Sequence, residues 1–132
     1  MGNYLGFSQE SFKFKFIKEN SFEERHNIFL EFKKSNPNKI PIIIEPGTYV
    51  KLNKDIYKLC FKPNLTMSHL EALLRQKENM NIETACYLKV KAKYLLPGDV
   101  ELSDAYERYK DKDGFLYFTL EHEICGDKYI FF

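Results

Sequence analysis

The side chains of this chain that could do covalent chemistry are three cysteines, Cys60, Cys86 and Cys125, and three histidines, His26, His69 and His122. A thiol becomes a nucleophile when a base or a local positive field holds it as thiolate. Only His122 lies near Cys125, and no spacing sets Cys60 or Cys86 against His26 or His69. No cysteine pair has the short separation of a zinc site. The pattern predicts reduced structural thiols, no catalytic residue, no metal and no cofactor. One further residue stands out, Gly126, in Ile124-Cys125-Gly126-Asp127. By residue type alone Gly-Asp is a turn pair, folding Glu121–Cys125 back against Lys128–Phe132 as a hairpin.

Composition narrows the function classes. Twenty basic residues face nineteen acidic ones, a net charge of +1. That balance argues against a chain dedicated to nucleic acid or to anionic membrane surfaces. At 132 residues the chain suits one domain with a real core. Its aromatics are all Phe and Tyr, so the core is expected to be rich in rings. No apolar run is long enough for a bilayer span, and no secretory signal pattern is present. The start Met1-Gly2 is a weak myristoylation signal, because position 6 is Gly where Ser or Thr is wanted.

The elements that position these residues are organised around Pro37-Asn38-Lys39-Ile40-Pro41-Ile42-Ile43-Ile44-Glu45. Pro37 ends a preceding helix, and the triple isoleucine reads as a central strand buried on both faces. Ser21-Phe22-Glu23-Glu24 is a capping box, which predicts a helix over Phe22–Ser35 with Phe22, Phe29 and Phe32 near one core-facing stripe. Pro46-Gly47 turns the chain into a second strand within Asp55–Lys62. Thr66 or Ser68 caps a helix whose apolar face is Leu70, Leu73 and Leu74. Ala85–Val90 reads as a third strand, interrupted by Lys89. Tyr94–Asp99 reads as a loop, Leu102–Tyr109 as a helix, Lys110–Gly114 as a turn and Phe115–Leu120 as the last strand. This order predicts an α+β fold: a ubiquitin-like β-grasp roll with a four-stranded mixed sheet and helical additions in front, which become two additional N-terminal helices once the resemblance described next is taken into account. Phe12, Phe14 and Phe16 alternate with Lys13 and Lys15, which by pattern alone is a half-buried strand.

Three motifs in register carry a resemblance. They are Phe22-Glu23-Glu24-Arg25, the stretch from Pro37 to Glu45, and Lys110-Asp111-Lys112-Asp113-Gly114-Phe115-Leu116-Tyr117; Leu73-Leu74-Arg75 agrees with them. From Phe12 to Tyr117 the chain resembles the autophagy ubiquitin-like modifiers, the family of GABARAP and the light-chain-three proteins. The resemblance implies a short helix, not a strand, near Phe12–Lys18. It implies an N-terminal arm and first helix over residues 1–21, a ubiquitin-like domain with its preceding helix over 22–126, and a tail, 127–132, removed by processing.

The family's members are modifiers, not enzymes. The resemblance implies cleavage after Gly126 by a processing cysteine protease. Activating and conjugating enzymes of the autophagy pathway would then join Gly126 to phosphatidylethanolamine. The protein would be cytoplasmic, and on the autophagosome membrane once lipidated. Glycine suits a narrow protease cleft because it has no side chain. The chain departs from relatives in having Cys125 where an aromatic is usual, and in a shorter approach from Tyr117 to Gly126.

The resemblance also implies a binding edge for cargo receptors and adaptors that carry aromatic-x-x-aliphatic peptides, added as a strand beside Lys58-Leu59-Cys60-Phe61. The aromatic's pocket would draw on Ile28, Phe32, Pro41, Lys58 and Phe115. The aliphatic's pocket would draw on Leu65, Leu70 and Leu73, with Leu59 or Phe61 at its rim. Lys39, Arg75 and Lys77 would supply positive charge. Anchoring the strand on Pro63 instead of Lys58 would shift it by one residue and exchange its faces. Ile28 stands where relatives often carry an acidic residue, which implies altered partner preference. A monomer without nucleic-acid partners is expected. The alternative is an unlipidated ubiquitin-like peptide-binding module with Gly126 in a C-terminal turn.

Overall fold

A computed structural model of the chain describes residues 13–80 and 85–122. The triple isoleucine lies in β1 (Ile40–Pro46), at the heart of a five-stranded sheet. On one side β1 pairs antiparallel with β2 (Tyr57–Phe61), and on the other it pairs parallel with β5 (Leu116–His122). β3 (Cys86–Val90) and β4 (Tyr94–Leu95) complete the order β2-β1-β5-β3-β4. Ile42, Ile43 and Ile44 have no exposed surface. Ile42 and Ile44 join the main core with Leu70, Leu88, Leu102 and Phe118. Ile43 points the other way, into a cluster with Phe14, Phe16, Phe115 and Tyr117. Burial on both faces is why the run does not alternate, and each isoleucine contributes roughly 1.5–3 kcal/mol.

Helices cover both faces. α1 (Lys15–Glu19) and α2 (Phe22–Ser35) belong to the Ile43 side, and α3 (Met67–Lys77) and α4 (Leu102–Tyr109) to the other. This is a ubiquitin-like roll with two helices in front of it. The capping box at Ser21 forms as its residue types require: Glu24 N–H donates to Ser21 Oγ and Ser21 N–H to Glu24 Oε1. Thr66, not Ser68, caps α3. Of the Phe stripe, Phe29 and Phe32 pack on the Ile43 cluster, whereas Phe22 remains 50% exposed.

Two expectations are corrected. The sheet has five strands, not four, because Tyr94–Leu95 pairs with Lys89 and Val90 where a loop was expected. The hairpin turn holds Lys91 and Ala92 at φ 59° and 60°. That primed-turn geometry is usually announced by Asn-Gly, which this sequence lacks. Lys89 does not interrupt β3. It occupies a half-exposed position in a strand whose alternate residues, Cys86, Leu88 and Val90, are buried. The segment read from its alternation as a strand is helical from Lys15, as the resemblance implied.

α1 is too short to be stable alone. It is held by Glu45, a buried carboxylate of β1 that accepts the N–H groups of Lys15 and Phe16 at 2.7 and 2.8 Å. Phe14 and Phe16 are buried beside it. Burial holds the Glu45 carboxyl above the usual carboxylate range, against the pull of the Phe16 and Lys15 N–H donors. Between the ordinary glutamate value and that raised value, the folded chain retains a proton that the unfolded chain has released. This group therefore makes the fold less stable as pH climbs through that window. Glu45→Ala is expected to cost about 1–3 kcal/mol, because a buried N–H at Phe16 and a part-buried one at Lys15 lose their acceptor. Amide hydrogen exchange at Lys15 and Phe16 should accelerate more than in α2. Glu45→Gln should flatten the stability–pH curve above the ordinary glutamate value, as measured by urea titration.

Candidate functional site

β2 is the outermost strand on its side of the sheet, so among the described residues no strand lies beside its outer edge. Its register fixes which side chains face which layer. Lys58 lies opposite Ile43 and Cys60 opposite Pro41, while Leu59 lies opposite Ile42 and Phe61 opposite Ile40. Because faces alternate along a strand, Lys58 stands on the layer of Ile28, Phe32 and Phe115, and Leu59 and Phe61 on the layer of α3. This is the arrangement obtained by anchoring the strand on Lys58.

Between β2 and α3 runs a groove of about 340 Å³. Leu59, Cys60 and Phe61 line one wall; Leu73, Leu74, Gln76 and Lys77 line the other. Leu73 is 42% exposed, a large apolar side chain available at its mouth. Two of the residues expected in the aliphatic pocket do not line it. Leu70 has no exposed surface and belongs to the core beneath. Leu65 packs half-buried against that core, and its carbonyl accepts the Leu102 N–H that starts α4. Arg75, expected to supply charge, is not among the lining residues, and its charge acts on the Cys86 thiol of β3. The lining residues missed by sequence reasoning are Cys60, Leu74 and Gln76. The helical spacing of Leu73, Leu74 and Lys77 was visible, but which flank of α3 meets β2 was not.

On the other layer, the Phe115 ring sits at the entrance of β5, wholly buried. It meets Phe32 edge-on at 5.7 Å between centroids, Phe29 at 6.0 Å and Phe16 at 5.6 Å. Ile28 and Phe32 pack half-buried on this cluster. Pro41 is buried, whereas Lys39 and Lys58 are exposed. A larger hollow of about 620 Å³ beside α4, lined by Leu96, Val100 and Tyr109 among others, shares no residue with this edge.

What places Phe115 is Asp113, fully buried in the turn before it. One oxygen accepts the Phe115 N–H at 2.9 Å. The other accepts Arg25 Nε of α2 at 2.7 Å and the Tyr117 hydroxyl at 2.5 Å. Burial, the hydrogen bond to Asp113 and its charge push the Tyr117 phenol far above its usual range, so it stays a donor. His26 Nδ1 meets the Asp113 carbonyl at 3.2 Å, and the Tyr106 hydroxyl donates to the Gly114 carbonyl at 2.7 Å. Gly114 has φ 105°, and a Cβ there would run into the Phe29 ring.

The thiols fit a structural role. Cys86 is buried, and burial pushes its thiol up, away from thiolate. Cys60 is half-buried in the groove wall. Among the described residues no histidine is hydrogen-bonded to either thiol, and no cluster of metal-ligating side chains occurs. No described helix is long and apolar enough to cross a membrane. Cys125 and Gly126 lie outside the described residues.

A family profile for the autophagy protein Atg8, ubiquitin-like, matches residues 24–125. The chain belongs to the Atg8 family of ubiquitin-like autophagy proteins. Protein lgg-2 of Caenorhabditis elegans is 27% identical over 118 residues, covering 88% of each chain. Autophagy-related protein 8e of Arabidopsis thaliana is 32% identical over 110 residues, covering 82% of this chain and 88% of that one. The crystal structure of Trypanosoma brucei ATG8 superposes with a TM-score of 0.73 at 25% identity, covering 85% of this chain and 97% of that one. These similarities agree with the modifier resemblance drawn from Phe22–Arg25, Pro37–Glu45 and Lys110–Tyr117.

Within this Atg8 fold the Asp113 cluster is open to a graded test. Asp113→Ala strands the Arg25 guanidinium, itself only 11% exposed, and is expected to cost about 3 kcal/mol or more by chemical denaturation. Tyr117→Phe removes one hydrogen bond and is expected to cost about 1 kcal/mol.

Proposed function

We propose that this Atg8-family chain is a ubiquitin-like modifier of autophagy rather than an enzyme. A processing cysteine protease cuts after Gly126, removing residues 127–132 from a modifier domain that spans 22–126. Activating and conjugating enzymes then join the Gly126 carboxyl to phosphatidylethanolamine. Two acyl chains at about 0.8 kcal/mol per buried methylene make a stable anchor on the autophagosome membrane for an otherwise cytoplasmic protein.

On that membrane the protein recruits cargo receptors and adaptors. The observation that carries this reading is the open edge of β2 beside an apolar groove. An extended peptide completes its ladder with that edge, its aromatic residue against Ile28, Phe32 and Lys58, over Pro41 and Phe115. Its aliphatic residue enters the groove between Leu59, Phe61 and Leu73. Lys39, Lys58 and Lys77 suit acidic residues flanking the peptide motif, acting through on-rate and specificity more than raw affinity.

Two experiments test the two halves. Incubation with an extract that contains the organism's own autophagy protease should remove Asp127–Phe132, read as a fall in intact mass, and Gly126→Ala should abolish that loss. An unchanged mass in an extract that processes another family member would remove the modifier half. An acidic aromatic-x-x-Leu peptide should bind the protein, as read by fluorescence anisotropy. Leu73→Asp should weaken it about ten-fold or more, roughly 1.4 kcal/mol, without lowering the melting temperature.

A further inference from the structure

We infer that the hollow beside α4 is a second docking site, for a short partner segment with aliphatic residues at its centre and lysine or arginine at its flanks. It lies apart from the β2 edge and does not rest on the peptide-binding reading above. The hollow has a volume of about 620 Å³, against about 340 Å³ for the groove between β2 and α3. Its apolar lining comes from Leu96, Pro97 and Val100, which follow β4, and from Ala105 and Tyr109 of α4. The Tyr109 ring stacks on Tyr94 of β4 with centroids 5.4 Å apart, which steadies that wall. The loop that forms the other wall is fastened to the start of α3. The Val100 carbonyl accepts the Met67 N–H and the Gly98 carbonyl accepts the Ser68 N–H, both at 2.9 Å. A Cβ on Gly98 would run into Ser68 Oγ, so the loop approaches α3 as only glycine permits. A hollow with fixed walls binds without the entropic cost of ordering them.

Charge chooses the occupant. Asp104, Glu107 and Arg108 also line the hollow, and all three are exposed. Among the described residues none of them has an ion-pair partner. Asp99 and Glu101, exposed on either side of Val100 in the chain, carry the same sign as the two α4 carboxylates. Lys93 and Lys110, which bracket this stretch, lie over the rings of Tyr94 and Tyr106 at 5.3 and 5.2 Å and do not line the hollow. Carboxylates therefore outnumber the single guanidinium at this rim. A centre of carbon with charge confined to an exposed rim is the anatomy of a protein interface. A small polar ligand would want a buried polar group aimed at it, and no polar side chain in this lining is fully buried. An acidic segment would meet like charge at the rim, and an uncharged one would gain nothing from it. The site is opposite in sign to the β2 edge, where Lys39, Lys58 and Lys77 are exposed. One chain can thus hold two segments of opposite charge.

The test uses the full chain, isotope-labelled, and an array of short synthetic peptides. Their central positions vary over alanine, valine, isoleucine, leucine and methionine, without aromatics, and each centre is presented with lysine, alanine or glutamate flanks. Lysine-flanked peptides should bind best, and added salt should weaken them. The strongest of them should shift the amide signals of Val100, Ala105 and Tyr109 and leave those of Leu59 and Leu73 in place. Asp104→Asn together with Glu107→Gln should weaken binding about five-fold, and Arg108→Gln should strengthen it about three-fold. Melting temperatures confirm that each variant is folded, and loss of fold could not move affinity in both directions. Alanine or glutamate flanks binding as well as lysine overturns the inference. So do shifts centred on Leu59 and Leu73, or an array on which no lysine-flanked peptide binds. Analytical ultracentrifugation of the chain alone gives the remaining outcome. A dimer that Asp104→Asn with Glu107→Gln dissociates makes a second copy the occupant and overturns the assignment to a separate partner.

Discussion

The buried carboxylate of Asp113 is the constraint on which the packing of α2 against the sheet depends. A charge with no exposed surface survives only when every lone pair has work to do. Here one oxygen closes the turn on the Phe115 N–H, while the other joins the Arg25 guanidinium of α2 to the Tyr117 hydroxyl of β5. One side chain thus fixes the turn, the start of the last strand and the helix in front of the sheet. The Phe115 ring lands between Phe16, Phe29 and Phe32 as a consequence, and Ile28 and Phe32 gain a floor. Gly114 belongs to the same device, since its left-handed backbone and missing Cβ let Phe29 approach.

A second constraint comes from β1. Because Ile42 and Ile44 are buried on one side and Ile43 on the other, the strand needs helices on both faces and strands on both edges. β5 takes one edge and β2 the other, which leaves the outer side of β2 without a strand partner among the described residues, as β4 is at the far side of the sheet. Unpaired strand edges are usually protected by short length and by lysine. β2 has only five residues and carries Lys58. The features that keep the edge from aggregating are those that suit it to an acidic peptide in the proposed role.

The site divides its labour by layer. On the α3 layer a half-open apolar groove runs between Leu59 and Phe61 of β2 and Leu73 and Lys77 of α3. On the α2 layer Ile28 and Phe32 pack on the Phe115 ring, and Lys58 of β2 stands exposed on the same layer. The N-terminal helix takes no part in that division. It is fastened by Glu45, whose burial works against its own charge, and by the rings of Phe14 and Phe16. An exposed ion pair between Lys15 and Asp55 at 2.8 Å adds only a screened contact.

What the sequence by itself determined were the local decisions. The capping box at Ser21, the stop at Pro37, the doubly buried isoleucines and the turn before Phe115 are all written in neighbouring residues, and each forms as read. Local chemistry suffices there because the partners lie within a few positions of each other. The family was legible for the same reason, since Phe22–Arg25, Pro37–Glu45 and Lys110–Tyr117 are contiguous motifs in order. Decisions that join distant segments were not legible. Nothing near Asp113 announces Arg25, eighty-eight positions away, and nothing near Glu45 announces the amides of Lys15 and Phe16. The turn at Lys91-Ala92 lacks the glycine and asparagine that would have declared a fifth strand, and its geometry is imposed by pairing. Leu65 and Leu70 have the right residue types for a groove, yet tertiary packing turns them into the core. Residue type sets what a side chain can bond with, but only the tertiary structure decides which of those bonds, across long separations in the chain, are made.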